Sequence, residues 1–163
     1  MPRTYTISAT GITVASATPL TLIALMPATG QTIEILRMWI SQNANATSAQ
    51  QAVRWGWKVT AFQSVTTVTP VADNEGDPAS LIAGAATIAV GKCGINASAE
   101  GAGGVTVVGA DNFNALNGWL WVPTPRESIQ LNSINAKAFS LQFNAIPGTL
   151  SGWSFGLTYA ELG

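Results

Sequence analysis

The sequence predicts an all-β protein, a single antiparallel β-sandwich of roughly seven to nine strands. Three observations predict it. Apolar and polar residues alternate with a period of two over most of the chain, β-branched and aromatic residues fill those stretches, and Gly, Pro and Asn gather between them. In the best-alternating stretch, Gln51 to Phe62, residues three and four apart form no apolar stripe, so a helical reading fails there. No repeat of about 20–50 residues is visible, which disfavours a propeller or a solenoid.

Taken in order, Thr4 to Thr10 alternates, with Tyr5, Ile7 and Ala9 on one face and threonine and serine on the other. Gly11 punctuates, and Ile12 to Ala15 resumes the strand. Pro19 to Leu25 is a mostly apolar strand candidate, closed by a turn at Pro27-Ala28-Thr29-Gly30. Thr32 to Ser41 is a long strand. Its alternation places Ile33, Ile35, Arg37 and Trp39 on one side and Leu36, Met38 and Ile40 on the other, so both faces are expected to be covered. Ala44 to Gln51, rich in Asn, Ala, Ser and Gln, is a loop. Gln51 to Phe62 alternates best: Val53, Trp55, Trp57, Val59 and Ala61 oppose Arg54, Gly56, Lys58 and Thr60, which points the charges outward.

Residues 63–117 have a different texture, with many glycines, an acidic cluster at Asp73, Glu75 and Asp77, and an alanine-rich run from Ala79 to Ala89. They are expected to form one long loop-rich excursion with short strands at Ala86–Val90 and Val105–Val108. Loops longer than about 12–15 residues are usually functional or mobile, so interaction surface is expected here. Order returns at Gly118 to Val122, stopped by Pro123-Thr124-Pro125. Ser128 to Ile134, Lys137 to Ile146 and Ser151 to Ala160 complete the strands, with turns at Asn132–Ala136 and Pro147-Gly148.

Composition narrows the chemistry. There is no histidine, one cysteine, and 9% charged residues, against about 25% in an ordinary soluble domain. Histidine is the commonest general base and a leading metal ligand, so most hydrolase, transferase and zinc-site readings fall away, as does a jelly-roll oxygenase with histidines on its iron. The basic residues Arg3, Arg37, Arg54, Lys58, Lys92, Arg126 and Lys137 are scattered at a net charge of −1, and no stripe exists to neutralise nucleic-acid phosphates. No partner membrane is expected: Met1 to Tyr5 opens no signal peptide, and the apolar stretch Pro19 to Pro27 is far short of the roughly 20 residues of a spanning helix. The chain reads as a soluble product of a reducing cytoplasm. At 163 residues it is one domain, spanning 1–163, with enough length to bury a core without metals or disulfides. Cys93, between Lys92 and Gly94, can form no intrachain disulfide and is read as a small buried apolar residue.

Several constellations deserve weighing against plainer readings. Asp73-Asn74-Glu75-Gly76-Asp77 alternates oxygen-bearing side chains around a glycine, which suits calcium, but twelve-residue counting from Asp73 lands on Gly84 where a calcium hand has its bidentate glutamate. A solvated loop is the plainer reading. Of the six tryptophans, Trp55 and Trp57 share a strand face, as do Trp119 and Trp121. They serve a sandwich core, a subunit interface or a sugar-stacking platform, in that order, and a buried indole N–H needs a partner. Asn45-Ala46-Thr47 and Asn96-Ala97-Ser98 match the glycosylation pattern but mean nothing without a secretory signal. Arg126-Glu127 is expected to form a surface ion pair or charge a strand edge, and Glu127 has no second carboxylate close by in sequence to work with. No catalytic residue, cofactor or metal site is therefore expected.

The segment Phe113-Asn114-Ala115-Leu116-Asn117-Gly118-Trp119-Leu120-Trp121-Val122-Pro123-Thr124-Pro125-Arg126-Glu127 leads through an alternating strand to Ala145-Ile146-Pro147 and then Leu150-Ser151-Gly152-Trp153-Ser154-Phe155. This order resembles that of small virion proteins of tailed bacteriophages. The likeness covers about the last third of the chain and, more loosely, the N-terminal strand, Thr-Pro, strand, Pro-Ala-Thr-Gly pattern. It departs at Arg126, where the family pattern carries an acid. The resemblance implies a jelly-roll-like β-sandwich and a role in head decoration: cement subunits, commonly homotrimers, that sit on the capsid surface of the virion and clamp neighbouring capsomers of the major capsid protein. Such a subunit needs no titratable chemistry, and a weakly charged exterior suits a surface that becomes interior on assembly. The candidate assembly contacts are an N-terminal arm, Pro2, Arg3, Thr4 and Tyr5, because termini stay mobile until a partner ties them down, and Asp73, Glu75 and Asp77 within the excursion. The alternatives are a tail, collar or fibre-associated virion part, and a carbohydrate-binding module built on the paired tryptophans.

Overall fold

The computed structural model describes residues 2–16, 20–44 and 48–162. Pro19 of the second expected strand and the Asn45-Ala46-Thr47 pattern lie outside them. Thirteen strands follow in order: β1 (Arg3–Ile12), β2 (Leu20–Leu25), β3 (Thr32–Gln42), β4 (Gln50–Lys58), β5 (Ser64–Thr67), β6 (Val71–Ala72), β7 (Ala83–Gly84), β8 (Lys92–Ala99), β9 (Thr106–Asn114), β10 (Trp119–Trp121), β11 (Ile129–Asn132), β12 (Ala138–Phe143) and β13 (Trp153–Glu161). A single 3-10 turn at Ser133–Asn135 sits where the sequence predicts a turn. Among the described residues there is no α-helix, and so no helix long and apolar enough to cross a membrane.

Two antiparallel sheets face each other. Sheet A runs β10-β3-β13-β1-β6, with β11 in line with β10 along the same edge of β3; sheet B runs β5-β8-β2-β12-β4-β9, with β7 added in parallel to β8. Leaving out β5–β8 and counting β10 and β11 as one interrupted strand, eight strands remain. The first, last, third and sixth then lie side by side in sheet A, and the second, seventh, fourth and fifth in sheet B. Residues of both inner faces, Tyr5, Ile7, Ile35, Met38, Leu141, Phe143, Trp153, Phe155 and Leu157 among them, form one core.

β-Bulges explain where simple alternation misleads. In β3 a register slip opposite Thr158/Tyr159 leaves Leu36 as the extra residue. Ile33 and Ile35 therefore share the inner face with Met38 and Ile40, while Arg37 and Trp39 turn outward. One added residue exchanges the faces of everything beyond it. The expected split of this strand is corrected accordingly.

The region 63–117 is more ordered than its texture suggests. It contributes five strands, and the one expected at Ala86–Val90 is instead Lys92–Ala99, with Thr87 making only an isolated bridge to Ser64. The strand expected at Val105–Val108 is instead the longer Thr106–Asn114. Small residues made this region look loop-like. Gly94 has to be small because an added Cβ would lie 2.2 Å from a Val65 methyl, and Gly84 because it would meet the Val68 carbonyl at 2.3 Å. Phe62, Val65 and Ile88 then close over the outer face of sheet B, packing on Ala24, Met26, Ala97 and Ala138.

Candidate functional site

The two sets of sequence-predicted contacts meet at one end of the sandwich. β6 pairs with β1 through Tyr5 and Thr6, the Asp73 amide donates to the Thr4 carbonyl at 2.9 Å, and the Thr6 hydroxyl donates to Asp73 Oδ1 at 2.7 Å. Pro2 to Tyr5 is not a free arm. β1 begins at Arg3, opposite Glu161, and the extended backbone is held on both sides by residue 5. Tyr5 is no surface contact either: it is fully buried, its ring 5.7 Å from that of Tyr159 and its hydroxyl donating to the Pro78 carbonyl at 3.0 Å. Alternation had already placed Tyr5 on the apolar face with Ile7, and that placement decides its fate. Pro2, Arg3, Asp73 and Glu75 are exposed, and Thr4 and Asp77 partly so.

A groove of about 620 Å³ opens beside them, lined by Pro2, Arg3, Thr29, Gly30, Gln31, Leu81, Glu161 and Leu162. Two of its lining residues, Glu161 and Gln31, are buried polar side chains. Glu161 continues the inward phase of Trp153, Phe155, Leu157 and Tyr159, and is only 8% exposed. Its Oε1 accepts from the Ser80 hydroxyl at 2.6 Å and the Leu81 amide at 3.0 Å. Because Ser80 spends its one proton on Glu161, the 2.6 Å contact with Tyr159 must be donated by the tyrosine, and the Ile82 amide donates to the same serine oxygen. Burial pushes the Tyr159 hydroxyl pKa upward, so it stays a donor. Gln31 closes the turn that leads into β3: its Oε1 accepts from the Ala28 amide at 3.1 Å, while its buried Nε2 has no hydrogen-bond partner among the described residues. Sequence reasoning missed Gln31, Ser80, Leu81 and Glu161. For Glu161 a cue existed, a charge in the apolar phase of an alternating strand; for the others none did.

The acidic loop Asp73–Asp77 is tied internally, by Thr6 to Asp73 and by Asn74 to Asp77. Among the described residues no three of Asp, Glu or Cys come together in a way that would hold a metal ion. Cys93 lies buried on the inner face opposite Leu25, and burial, slightly opposed by the Lys92 charge, lifts its thiol to about 12. It is a packing residue, not a nucleophile.

The tryptophan pairs turn inward. Trp55 of sheet B lies 5.5 Å from Trp119 and 5.7 Å from Trp121 of sheet A, and the Trp119 indole donates to Asp111 at 3.0 Å. Trp57 sits edge-on to Phe139, and Trp153 edge-on to Phe143 with its N–H on the Thr149 carbonyl. Pro123-Thr124-Pro125 bridges β10 and β11. There the Thr124 hydroxyl donates to Glu127 at 2.8 Å and the Glu127 amide to the Thr124 carbonyl, so Glu127 caps its own turn. Asn96 serves the fold too: its carboxamide holds Thr13 and Ala15 of the β1–β2 connection.

No protein-family model, curated protein or solved structure matches this chain.

Proposed function

We propose that this chain is a non-enzymatic structural subunit of a tailed-bacteriophage virion, a decoration or cement protein that sits on the outside of the head. In this reading it acts as a homotrimer and stabilises the shell by bridging capsomers of the major capsid protein. The observation that carries the reading is the strand order. With β5–β8 set aside, the orders first-last-third-sixth and second-seventh-fourth-fifth support a jelly-roll-like reading, an architecture at home in viral shells and lectins. The Phe113-to-Glu127 segment, part of the sequence that resembles small virion proteins, contains β10, which pairs along the edge of β3. Chemistry supports the reading too: Thr21, Lys58, Ser140, Gln142 and Thr158 are buried polar side chains that join one another or backbone.

Docking on a repeating lattice calls for contacts of on the order of 1,000 Å² each, and several seats on one trimer add avidity without strong single contacts. The test is direct. Light scattering after size exclusion is expected to give three times the 16.9 kDa chain mass. Purified chain is expected to sediment with expanded heads and not with precursor shells. A monomer indifferent to both shells overturns the proposal, and a position on the tail or collar in imaged particles moves the chain to another virion part.

A further inference from the structure

We infer that the groove between Arg3, Gln31, Leu81 and Glu161 is a receptor for an extended peptide segment of a protein partner, one that places a lysine or arginine side chain on Glu161. This rests on the docking reading above and says where, and by what chemistry, docking takes place.

Three features point to such an occupant. First, Glu161 is a carboxylate more than nine-tenths buried, and among the described residues no ion pair neutralises it. Oε1 is satisfied by Ser80 and Leu81, while no hydrogen bond reaches Oε2. Oε2 is not among the sealed polar atoms, and at a groove wall such an oxygen is free to accept a charge-assisted hydrogen bond from a cation. Second, Gln31, also more than nine-tenths buried, lines the same wall, and its buried Nε2 has no partner among the described residues, a donor that a backbone carbonyl would satisfy once the carboxamide turns towards the groove. Third, the groove also presents exposed apolar side chains: Leu81 is 64% and Leu162 41% accessible, with Pro2 beside them. A peptide offers all three complements at once, a carbonyl, an apolar side chain and a cation, and about 620 Å³ admits a short segment.

The sign of the cation follows from charge. Asp73, Glu75 and Asp77 lead into Pro78 and Ser80, so four of the chain's eight acidic residues lie on the elements that meet at this end, against Arg3 in the groove wall. A basic segment is attracted here and an acidic one repelled.

The test uses the whole chain, isotope-labelled, titrated with the peptide acetyl-Gly-Leu-Lys-Leu-Gly-amide and with counterparts carrying norleucine or glutamate at the central position. The lysine peptide is expected to shift the Gln31 carboxamide and the Leu81 amide resonances. Its affinity should exceed that of the norleucine peptide about tenfold. Glu161→Gln, which keeps the acceptor for Ser80 and Leu81, should erase that difference, and Leu81→Ala should weaken both peptides alike while leaving the fold intact. Silent Gln31 and Leu81 resonances, equal affinity for lysine and norleucine, or preference for the glutamate peptide each overturn the inference. Failure here and failure of the virion reading are separable. A chain that binds heads while Glu161→Gln binds them equally well sinks the groove alone, and a groove that takes the lysine peptide in a chain indifferent to heads sinks the virion reading alone.

Discussion

The outer faces of the two sheets solve the same problem under different conditions. On sheet A, Arg37 Nε donates to the Thr158 hydroxyl at 3.0 Å, and Thr158 meets Thr6 at 2.9 Å. Since Thr6 donates to Asp73, Thr158 must donate to Thr6, so a directed chain of hydroxyls joins a cation to a carboxylate across three strands. On sheet B, Arg54 Nε donates to Gln142 Oε1 at 3.0 Å, and Gln142 Nε2 donates to Thr21 and to Glu100. Thr21 gives Glu100 both its amide and its hydroxyl at 2.6 Å, and Gln63 Nε2 donates to Thr21 and Ser140. Both rows run from arginine to acid. The first has one buried member, Thr158, and ends in solvent at Arg37 and Asp73, whereas in the second Thr21, Gln63, Ser140 and Gln142 are all buried. What decides the energetic weight of a polar row is its cover, and the cover was set by small residues.

The sharpest way to break this comparison uses one glycine from each face. An added Cβ at Gly56 of sheet B would lie 2.0 Å from the Thr106 carbonyl oxygen, and at Gly156 of sheet A 2.0 Å from the Trp39 ring. The first obstacle is backbone locked in the β4–β9 pairing. The second is a half-exposed side chain that can swing into solvent, giving up its contact with Arg37. Gly56→Ala is therefore expected to cost about 3 kcal/mol and Gly156→Ala about 1 kcal/mol in urea unfolding. Equal losses would mean that sheet A's outer face is as constrained as sheet B's.

Much of this was legible beforehand. Alternation located Tyr5, Ile7, Val53, Trp55 and Trp57 on inner faces, and the turns at Pro27–Gly30 and Asn132–Ala136 follow from their residues. Alternation also set Lys58 outward correctly, opposite Ala138, yet Lys58 is buried, its ammonium donating to the Ala102 and Gly103 carbonyls. Period two reports a face and is silent on what covers it. Bulges were illegible for a related reason, since the extra Leu36 is itself apolar and leaves no break in the pattern. The groove escaped because its residues come from four separated stretches of chain, and only the β1–β13 register brings Arg3 opposite Glu161.

A pair of isosteric changes tests the covered row against the open one. Thr21→Val removes the hydroxyl that Glu100, Gln63 and Gln142 share beneath the insert, leaving buried groups under-bonded at a cost of about 2 kcal/mol. Thr158→Val removes a buried hydroxyl too, but its partners Arg37 and Thr6 are not buried and can turn to water, so the expected cost is smaller, about 1 kcal/mol. Denaturant midpoints of the two variants, at unchanged slope, measure the contrast. A Thr158→Val loss as large as that of Thr21→Val would contradict it.

The inner faces supply a reference that neither outer row should move. Cys93 and Tyr159 both have pKa values raised by burial, Cys93 from 9.0 to about 12. Each is neutral when protonated, so the unfolded chain releases the thiol proton near pH 9 while the folded chain holds it. Stability is full below about pH 9 and falls above it by about 1.4 kcal/mol per pH unit for each such proton, until the folded thiol itself ionises. The decline is expected to be shared by Thr21→Val and Thr158→Val and to flatten between pH 9 and 10 in Cys93→Ala, as followed by urea midpoints across the alkaline range.

The smallest effect separates the two carboxylate ends. Asp73→Asn keeps an acceptor for Thr6 on an exposed loop and should change stability by only about 0.5 kcal/mol, a difference that vanishes in high salt because exposed charges are screened. Glu100→Gln replaces an acceptor of three hydrogen bonds at the edge of the covered row with a group that must spend one side on donation. Its loss should persist in salt, because the partners Thr21 and Gln142 stay buried whatever the ionic strength. A salt-sensitive Glu100→Gln would place that end of the row in solvent and remove the distinction between the two faces.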